Sequence, residues 1–275
     1  MTRRDLIAAA PIMAAAARNA AAADGFRPLF DGVSLNGWMR KSRALNQPSM
    51  GQWSVEDGVI IGGQDPPGSG IGSYLVSEES FGDFELQIEA RPDWRADTGI
   101  LVRTVEQGNV GIQVLLDHRP HGGIGGYYGN GLANFHAWAY SFDAETDAKG
   151  IPTKLIPGPP QEPSTGNKKV ELDFAAPVET FLKVWKLNGW NHFRIRSVGA
   201  IPQLTTWING EKIAALDLAK MKSPGWDPEA VLAKIGRKGH IALEVHSNGP
   251  NDKLGKDRWA PGADCRWRNI SIKEL

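Results

Sequence analysis

A carboxyl group and an imidazole lie two residues apart in the stretch GHIALEVHSNG, residues 239–249. Aliphatic residues alternate there with Ala242, Glu244 and His246, which is the pattern of a half-buried strand. Successive side chains of a strand point to opposite faces, so Glu244 and His246 face the same way. An imidazole titrates near neutral pH and a neighbouring carboxylate can orient it, so this pair has the chemistry of a general acid–base catalyst.

A second strand repeats this combination of groups. In the run GIQVLLDH, Gln113 and Asp117 share one face and His118 follows at once. Arg103 ends a third strand, and Glu89 lies near the end of a fourth. A sheet that is covered on both faces is apolar on both. Polar side chains on several strands therefore indicate either a solvated face or the floor of a cleft for a polar ligand such as a sugar.

Short alternating runs, rather than helical periods, fill the chain after residue 23. A DG turn at 57–58 and an NG turn at 209–210 each separate two such runs, as in β-hairpins. Many short strands between turns rich in Gly, Pro and Asn predict an all-β fold, an antiparallel β-sandwich or jelly roll. Helices are minor, with candidates at Val178–Lys186 and Asp227–Ile235.

The segment 118–187 breaks this rhythm. It begins rich in glycine (HGGIGGYYGNG), passes through NFHAWAYSFD and contains the proline-rich run IPGPPQEP. Its aromatic content argues against disorder, and a loop of this length inside a compact domain is usually functional. We expect a loop excursion that covers the cleft, with Trp138 stacking on a sugar ring.

The first 23 residues have the pattern of an export signal. Paired arginines near the N-terminus precede an alanine-rich apolar run that ends in AAA, a small-residue cleavage site. The paired arginines predict the twin-arginine route, so we expect residues 1–23 to be a signal peptide and 24–275 to form a single jelly-roll domain in the bacterial periplasm. Pro11 and Arg18 interrupt the apolar run, which is shorter than the roughly 20 residues of a membrane span.

Charge and motifs exclude several classes of protein. Without residues 1–23 the formal net charge shifts from 0 to −2 and no basic patch remains, so a nucleic-acid partner is not expected. The single cysteine, Cys265, cannot form an internal disulfide, and we expect it to be a buried, inert thiol. The sequence has no HExxH zinc-protease run, no GxSxG elbow and no phosphate-binding P-loop.

An opening motif and a closing motif connect the chain to a known family. FRPLFDGVSLNGW at 26–38 matches the pattern F-x-x-L-F-D-G-x-S-L-x-G-W, TGILVR follows at 98–103, and WRNISIKEL ends the chain at 267–275. On these residues the chain resembles the bacterial 3-keto-disaccharide hydrolase domain over nearly its whole length. It departs from the family pattern in a longer Gly122–Lys186 region and in Glu244, where glutamine is commoner.

The resemblance implies a concanavalin A-like jelly roll that acts on glycosides whose C3 hydroxyl has been oxidised to a ketone. Such a ketone acidifies the C2 proton, so a base can remove it, the C1 substituent can leave by β-elimination, and water addition completes a net hydrolysis. We expect His246 to be the base or acid, Glu244 or Asp117 to orient it or share the proton transfer, and Arg103 to stabilise the enediolate. The expected substrate-binding residues are Glu89, Gln113, His121, Tyr128 and Trp138.

A divalent cation (Ca, Mn or Zn) would serve the same electrophilic role as an arginine. Its candidate ligands are Asp117, His118, Glu244 and His246.

Two alternatives of different classes stay open. One is a non-catalytic carbohydrate-binding or cell-envelope interaction module, and the other is a conventional glycoside hydrolase. The latter needs two carboxyl groups about 5–10 Å apart across a cleft. A deep pocket with paired titratable groups favours an enzyme, and a shallow aromatic platform favours a binding module. In each case the partner is a small carbohydrate, and the oligomeric state is left open.

Overall fold

A computed structural model describes residues 24–43, 49–163, 166–249 and 256–275. The predicted signal peptide, residues 1–23, lies outside these described residues. Within them, no helix has both the length and the apolar composition that crossing a membrane requires.

The described residues form nineteen β-strands and two short α-helices. In chain order the strands are β1 (Arg27–Pro28), β2 (Trp38–Ser42), β3 (Gln52–Glu56), β4 (Val59–Gly63), β5 (Ser73–Phe81), β6 (Phe84–Pro92), β7 (Ala96–Thr104), β8 (Gly111–His118), β9 (Ile124–Asn130), β10 (Phe135–Ala137), β11 (Phe142–Thr146), β12 (Pro152–Pro157), β13 (Lys168–Lys169), β14 (Phe174–Ala175), β15 (Asn191–Val198), β16 (Gln203–Ile208), β17 (Glu211–Asp217), β18 (Gly239–Val245) and β19 (Asp264–Glu274). The helices are α1 (Val178–Val184) and α2 (Pro228–Ile235).

The strands build two large sheets that pack face to face. The first, the back sheet, has the order β14-β17-β16-β15-β6-β19-β4-β3, with β1 paired to β19. The second, the cleft sheet, has the order β13-β10-β9-β8-β7-β18-β5-β2, and β11 and β12 form a separate hairpin. The described strands pair antiparallel with their neighbours, as in β6–β15 and β7–β8, except for the parallel pair β10–β13.

Alternation along the strands sends apolar side chains between the two sheets. In β6, Phe84, Leu86 and Ile88 are fully buried, while the residues between them are partly exposed. Ile100 of the cleft sheet and Ile195 of the back sheet belong to the same continuous apolar cluster. Because a shift of one residue would turn every such side chain to the other face, this cluster also holds the register. The structure confirms the predicted all-β antiparallel sandwich of the jelly-roll, concanavalin A-like class.

The predicted turns and helices are present. Asp57 and Gly58 have φ angles of 49° and 79°, positive at both central residues as a type I′ hairpin turn requires. The turn at 209–210 joins β16 to β17 with the same signs. Helix α2 begins after Asp227, whose side chain accepts hydrogen bonds from two backbone N–H groups of the first turn.

The segment 118–187 contains more strand than the predicted loop excursion. Strands β9 and β10 extend the cleft sheet beyond β8, and the hairpin β11–β12 and helix α1 follow. The glycine-rich sequence resembles a loop because β9 needs small residues where it approaches the back sheet. At Gly125, which has φ 90°, an added Cβ would lie 2.7 Å from Cγ2 of Ile213 on β17. These glycines therefore permit close packing of a strand.

Arg103 does not reach the cleft, which corrects its predicted role at the enediolate. Two residues of β7 oppose one residue of β18 at this point, and Arg103 has a φ of 52°. This β-bulge turns the side chain away from the face that strict alternation assigns to it. The fully buried guanidinium donates hydrogen bonds to the backbone carbonyls of Gly82, Gly199, Ala200 and Gly236 at 2.7–3.4 Å. Arg103 therefore ties together three connections, which join β5 to β6, β15 to β16 and α2 to β18.

We expect Arg103→Met to lower the free energy of unfolding by at least about 2 kcal/mol, because it leaves buried carbonyl groups without donors. Turnover per folded molecule should not change. Chemical denaturation and an assay on the folded protein measure the two effects. Arg196→Met is the control, because its partly exposed ion pair with Glu85 spans 3.6 Å and such pairs contribute about 1 kcal/mol or less. Normal stability with lost turnover would return Arg103 to the chemistry.

Candidate active site

The face of the cleft sheet that points away from the core carries a polar cavity of about 480 Å³. Cavities of this size are typical of sites for small molecules. Strands β7 and β8 form part of its floor, where Asp97 lies directly opposite Asp117 in the strand register. The ionisable side chains that line it are Arg43, Asp97, Asp117, Arg119, His121, Tyr128, His136, Glu162, His246 and Arg258.

Asp97 and Asp117 form a buried pair of carboxyl groups with different charge states. Asp97 Oδ2 accepts a hydrogen bond from Arg258 Nη1 at 2.5 Å and lies 3.8 Å from Arg119 Nη2. Burial alone would raise the pKa of Asp97, but the electrostatic influence of His246 and the charges of Arg258 and Arg119 hold that pKa well below its usual value. Burial and the neighbouring charge of Asp97 raise the pKa of Asp117 to about 7, although Arg119 Nε lies 2.7 Å from its Oδ1. Asp97 thus stays ionised, while Asp117 exchanges its proton near neutral pH.

Glu244 lies beneath the cavity and has no exposed surface. Its Oε1 pairs closely with Nη1 of Arg43, and its Oε2 accepts a hydrogen bond from Gln113 Nε2 at 2.6 Å. Gln113 can lie across β7 because residue 99 is glycine, where a Cβ would come within 2.4 Å of the Gln113 side chain. Burial raises the pKa of Glu244, and Arg43 opposes that rise. Glu244 therefore acts on a ligand only through Arg43 and Gln113.

His246 is held as a neutral imidazole. Its Nε2 lies 3.2 Å from Nη2 of Arg43, and its Nδ1 lies 2.5 Å from the carbonyl oxygen of Ser247. A guanidinium can only donate, so Nε2 must accept and Nδ1 must carry the proton, an assignment made from the hydrogen-bond partners. Burial and the charge of Arg43 place the pKa of His246 well below its usual value. A group with its lone pair engaged in this way is a poor base.

Arg258 is positioned over the cavity by the backbone that carries it. Its carbonyl oxygen accepts a hydrogen bond from the Asp97 N–H at 2.8 Å. The next residue, Trp259, exchanges backbone hydrogen bonds with the side chain of Asn248 at 2.8 and 3.3 Å. Hydrogen bonds therefore fix the backbone of Arg258, and the Asp97 carboxylate fixes its guanidinium.

Aromatic rings form one wall of the cavity. The ring centroids of His136 and Trp138 lie 3.5 Å apart, and those of His136 and Tyr128 lie 5.2 Å apart. Within the described part of the chain, neither ring nitrogen of His136 has a hydrogen-bond partner, and burial lowers the pKa of this side chain to about 3. Tyr128, Trp138 and His121 line the cavity, with the His121 side chain 60% exposed at the rim. The wall therefore combines flat aromatic rings with the neutral imidazole of His136.

A family model matches nearly the whole chain. The model of the 3-keto-alpha-glucoside-1,2-lyase-like domain covers residues 25–273. The chain belongs to this family. Membership gives this lyase-like domain a carbohydrate-active role, with a small carbohydrate as its ligand.

Solved structures similar to this lyase-like domain differ widely from it in sequence. Two candidate glycosyl hydrolases from Parabacteroides distasonis are 17% and 19% identical to it, with TM-scores of 0.49 and 0.48. The alignments cover 92% and 91% of this chain and 95% and 99% of theirs. A carbohydrate-binding module, CBM66, from Bacillus subtilis is 9% identical, with a TM-score of 0.40, over 86% of this chain and 95% of its own. No curated protein matches the chain.

Besides Arg103, the predicted site residues His118 and Glu89 lie outside the cavity. The His118 ring points into the core, with its centroid 5.2 Å from that of Trp94 and its Nδ1 3.1 Å from the Asp93 carbonyl oxygen. Strand alternation explains this, because residues 117 and 118 must face opposite ways. Glu89 belongs to the back sheet, where it accepts a hydrogen bond from Arg268 Nε at 2.6 Å. Neither side chain lines the cavity.

The predicted metal ligands of the domain do not converge. His118 faces away from Asp117, and both carboxylate oxygens of Glu244 already bind donors. Across residues 24–43, 49–163, 166–249 and 256–275, no group of three or more His, Cys, Asp or Glu side chains could hold a metal ion. The arginines of the cavity supply the positive charge that a bound cation would otherwise provide. The residues as placed do not fit a divalent ion.

Five residues of the site were not predicted from the sequence: Asp97, His136, Arg43, Arg119 and Arg258. The sequence does contain a signal for Asp97. In a strand this residue shares a face with residues 99 and 101, and it directly precedes the TGILVR motif. His136 gave a weaker one inside its aromatic run. Arg43, Arg119 and Arg258 lie outside the strands, in irregular segments where no spacing indicates which way a side chain points.

Proposed function

We propose that this protein cleaves 3-keto-glycosides, including 3-keto-disaccharides, after export to the periplasm. The reaction is proton abstraction at C2, β-elimination of the C1 substituent, and water addition that completes a net hydrolysis. The observation that carries the proposal is the buried Asp117 carboxyl group, which lies opposite Asp97 and among three arginines around one cavity.

Asp117 is the base in this proposal. A C3 ketone makes the C2 proton acidic, and the Asp117 carboxylate removes it. The C2–H electron pair then forms the C2=C3 double bond, and the C3 oxygen becomes an oxyanion. A general base is most effective when its pKa lies near the working pH, which burial and Asp97 provide here. Asp117 takes the role that the sequence analysis gave first to His246.

Arg258 and Arg43 stabilise the oxyanion. Both line the cavity, and both are held in place by buried carboxylates, Asp97 and Glu244. Preorganised positive groups stabilise developing charge strongly, since they need no reorganisation during the reaction. They replace Arg103, which lies outside the cleft.

The second step returns the proton. When the enediolate collapses to the ketone, the C1–O bond breaks and C1=C2 forms. The carboxylic acid of Asp117 donates its proton to the leaving oxygen and is ready to act again. Water then adds its hydroxyl to C1 and a proton to C2, so the products are a 3-keto sugar and the leaving alcohol.

The test is incubation with methyl 3-keto-glucoside and with its unoxidised parent, with and without a chelator. We expect release of methanol from the keto substrate alone. Turnover of the parent alone would contradict the keto-sugar reaction. Turnover of neither substrate would contradict catalysis and favour a carbohydrate-binding module. Loss of turnover in the chelator would show that a metal ion supplies the charge that the proposal gives to the arginines.

A conventional glycosidase is the second candidate, and the carboxyl pair favours it. Asp97 and Asp117 are directly opposite on neighbouring strands, so their Cβ atoms lie about 4.5–5.5 Å apart. One ionised and one protonated carboxyl on neighbouring strands resemble the nucleophile and acid of a retaining glycosidase, whose carboxyl groups lie about 5–5.5 Å apart. Arg258 and Arg119 both contact Oδ2 of Asp97, and their positive charges weaken this carboxylate as a nucleophile, which argues against a glycosidase. The parent glucoside in the experiment above separates the two reactions.

A further inference from the structure

A smaller cavity of about 230 Å³ lies beside the main one. The two share Trp138, Pro160 and Gln161 as walls. We propose that Trp138 separates two subsites, and that the smaller cavity binds the leaving-group sugar of a disaccharide substrate. This inference rests on the proposed function, because it assumes that the 3-keto sugar occupies the cavity that contains Asp117.

The smaller cavity is suited to binding rather than to chemistry. Besides the shared walls, its lining consists of Ala139, Tyr140, Ser141, Lys169 and Val170. Among the described residues that line it there is no carboxyl group and no imidazole. Proton transfer therefore belongs to the main cavity, and the smaller one provides contact surface.

Trp138 is fixed in position between the two cavities. One side of the ring packs on His136, with centroids 3.5 Å apart and planes inclined by 33°. Its edge lies over Gly123, where an added Cβ would come within 2.9 Å of Trp138 Cδ1. The side chain remains partly exposed and lines both cavities, so a ligand that extends from one to the other must contact it. A rigid indole offers a large apolar surface to the C–H face of a sugar ring.

The polar groups of the smaller cavity match a neutral sugar. The Tyr140 hydroxyl donates to the Ile124 carbonyl at 2.7 Å, and the Ser141 hydroxyl donates to the Pro159 carbonyl, so neither is available as a donor. Lys169 is 57% exposed and its Nζ lies 3.7 Å from Glu162, which offsets its charge. One aromatic surface with one ammonium donor favours a hexose with free hydroxyl groups over an anionic or purely apolar group.

The test compares two keto substrates that differ only in the leaving group. They are methyl 3-keto-glucoside and a 3-keto-glucosyl-glucose disaccharide, and the readout is the ratio of their kcat/KM values. Since Trp138 also borders the main cavity, Trp138→Ala will slow both substrates. We expect the ratio of disaccharide to methyl glycoside to fall by about tenfold or more, from lost ring contact and apolar burial. Lys169→Ala, on the exposed rim, should lower the ratio by about threefold, the scale of one hydrogen bond.

Trp190→Ala is the matched control. Trp190 is a partly exposed tryptophan beside the back sheet, packed under Arg91 and Arg268 at 5.0 and 4.2 Å, and it should leave the ratio unchanged. Calorimetric titration with the unoxidised disaccharide and with methyl glucoside tests the subsite without any turnover. If the wild type cleaves keto substrates and Trp138→Ala leaves the ratio unchanged, the subsite is wrong and the function stands. If no keto substrate is cleaved but Trp138→Ala weakens binding of the disaccharide alone, the function is wrong and the subsite stands.

Discussion

Asp117→Asn should lower kcat/KM for a 3-keto-glucoside by about 10²–10⁴-fold, the usual contribution of a general base. The asparagine keeps the size and the hydrogen-bonding capacity of the side chain but cannot take up the C2 proton. Steady-state kinetics with methyl 3-keto-glucoside measure the loss. Circular dichroism on the same sample separates lost chemistry from lost folding.

The pH dependence gives this prediction its sharpest form. A base acts in its ionised state, so kcat/KM of the wild type should rise with pH and level off above an apparent pKa of about 7. Removing the neighbouring negative charge with Asp97→Asn should move this rise to lower pH, because that charge helps to raise the pKa of Asp117. A rise that stays in place in the Asp97 variant, or a profile that is flat from pH 5 to 9, would remove Asp117 from the role.

The same pKa shift predicts the effect on stability. In the folded protein the pKa of Asp117 is raised from 3.8 to about 7, so its protonated form contributes stability that is complete below pH 3.8. That contribution is lost as the pH rises towards 7. Asparagine does not ionise, so Asp117→Asn should gain stability relative to the wild type between pH 4 and pH 7, with no further gain above. Denaturation curves at pH 4.5, 6 and 8 measure the trend.

Strand alternation predicted much of the fold and part of the site. It placed the apolar side chains of β6 in the core and put Gln113, Asp117, Glu244 and His246 on the face of their strands that carries or underlies the cavity. These inferences need only the period of two and the position of the turns, both of which are local properties of the sequence.

The remaining parts depend on contacts between distant segments. The bulge that turns Arg103 away arises from the pairing of β7 with β18, and no local pattern records that pairing. The glycines of β9 have the pattern of a loop in the sequence, because the back sheet that requires small residues there is distant along the chain. The tautomer of His246 is likewise set by Arg43, more than 200 residues away in sequence. Long-range packing therefore decides which of the predicted polar residues is free to act.

We expect Arg43→Met to lower the free energy of unfolding by about 3–5 kcal/mol, the usual effect of breaking a buried ion pair on one side. Glu244 would keep a hydrogen bond from Gln113 but lose the charge that compensates it in a site with no exposed surface. Its pKa, already raised by burial, would rise further. Since a raised carboxyl pKa means stability lost with increasing pH, the variant should be weaker at pH 8 than at pH 5. Chemical denaturation at both values measures this difference.

The double variant Arg43→Met with Glu244→Gln makes this prediction specific to the pair. Glutamine keeps the size of the Glu244 side chain, and a neutral amide there needs no guanidinium. The double variant should recover at least about 1–2 kcal/mol relative to the sum of the single variants, the coupling expected for charges in direct contact. Its stability should also lose the dependence on pH that the Arg43→Met variant shows. Additive effects would mean that Arg43 stabilises the fold by packing, and that its pairing with Glu244 contributes nothing to stability.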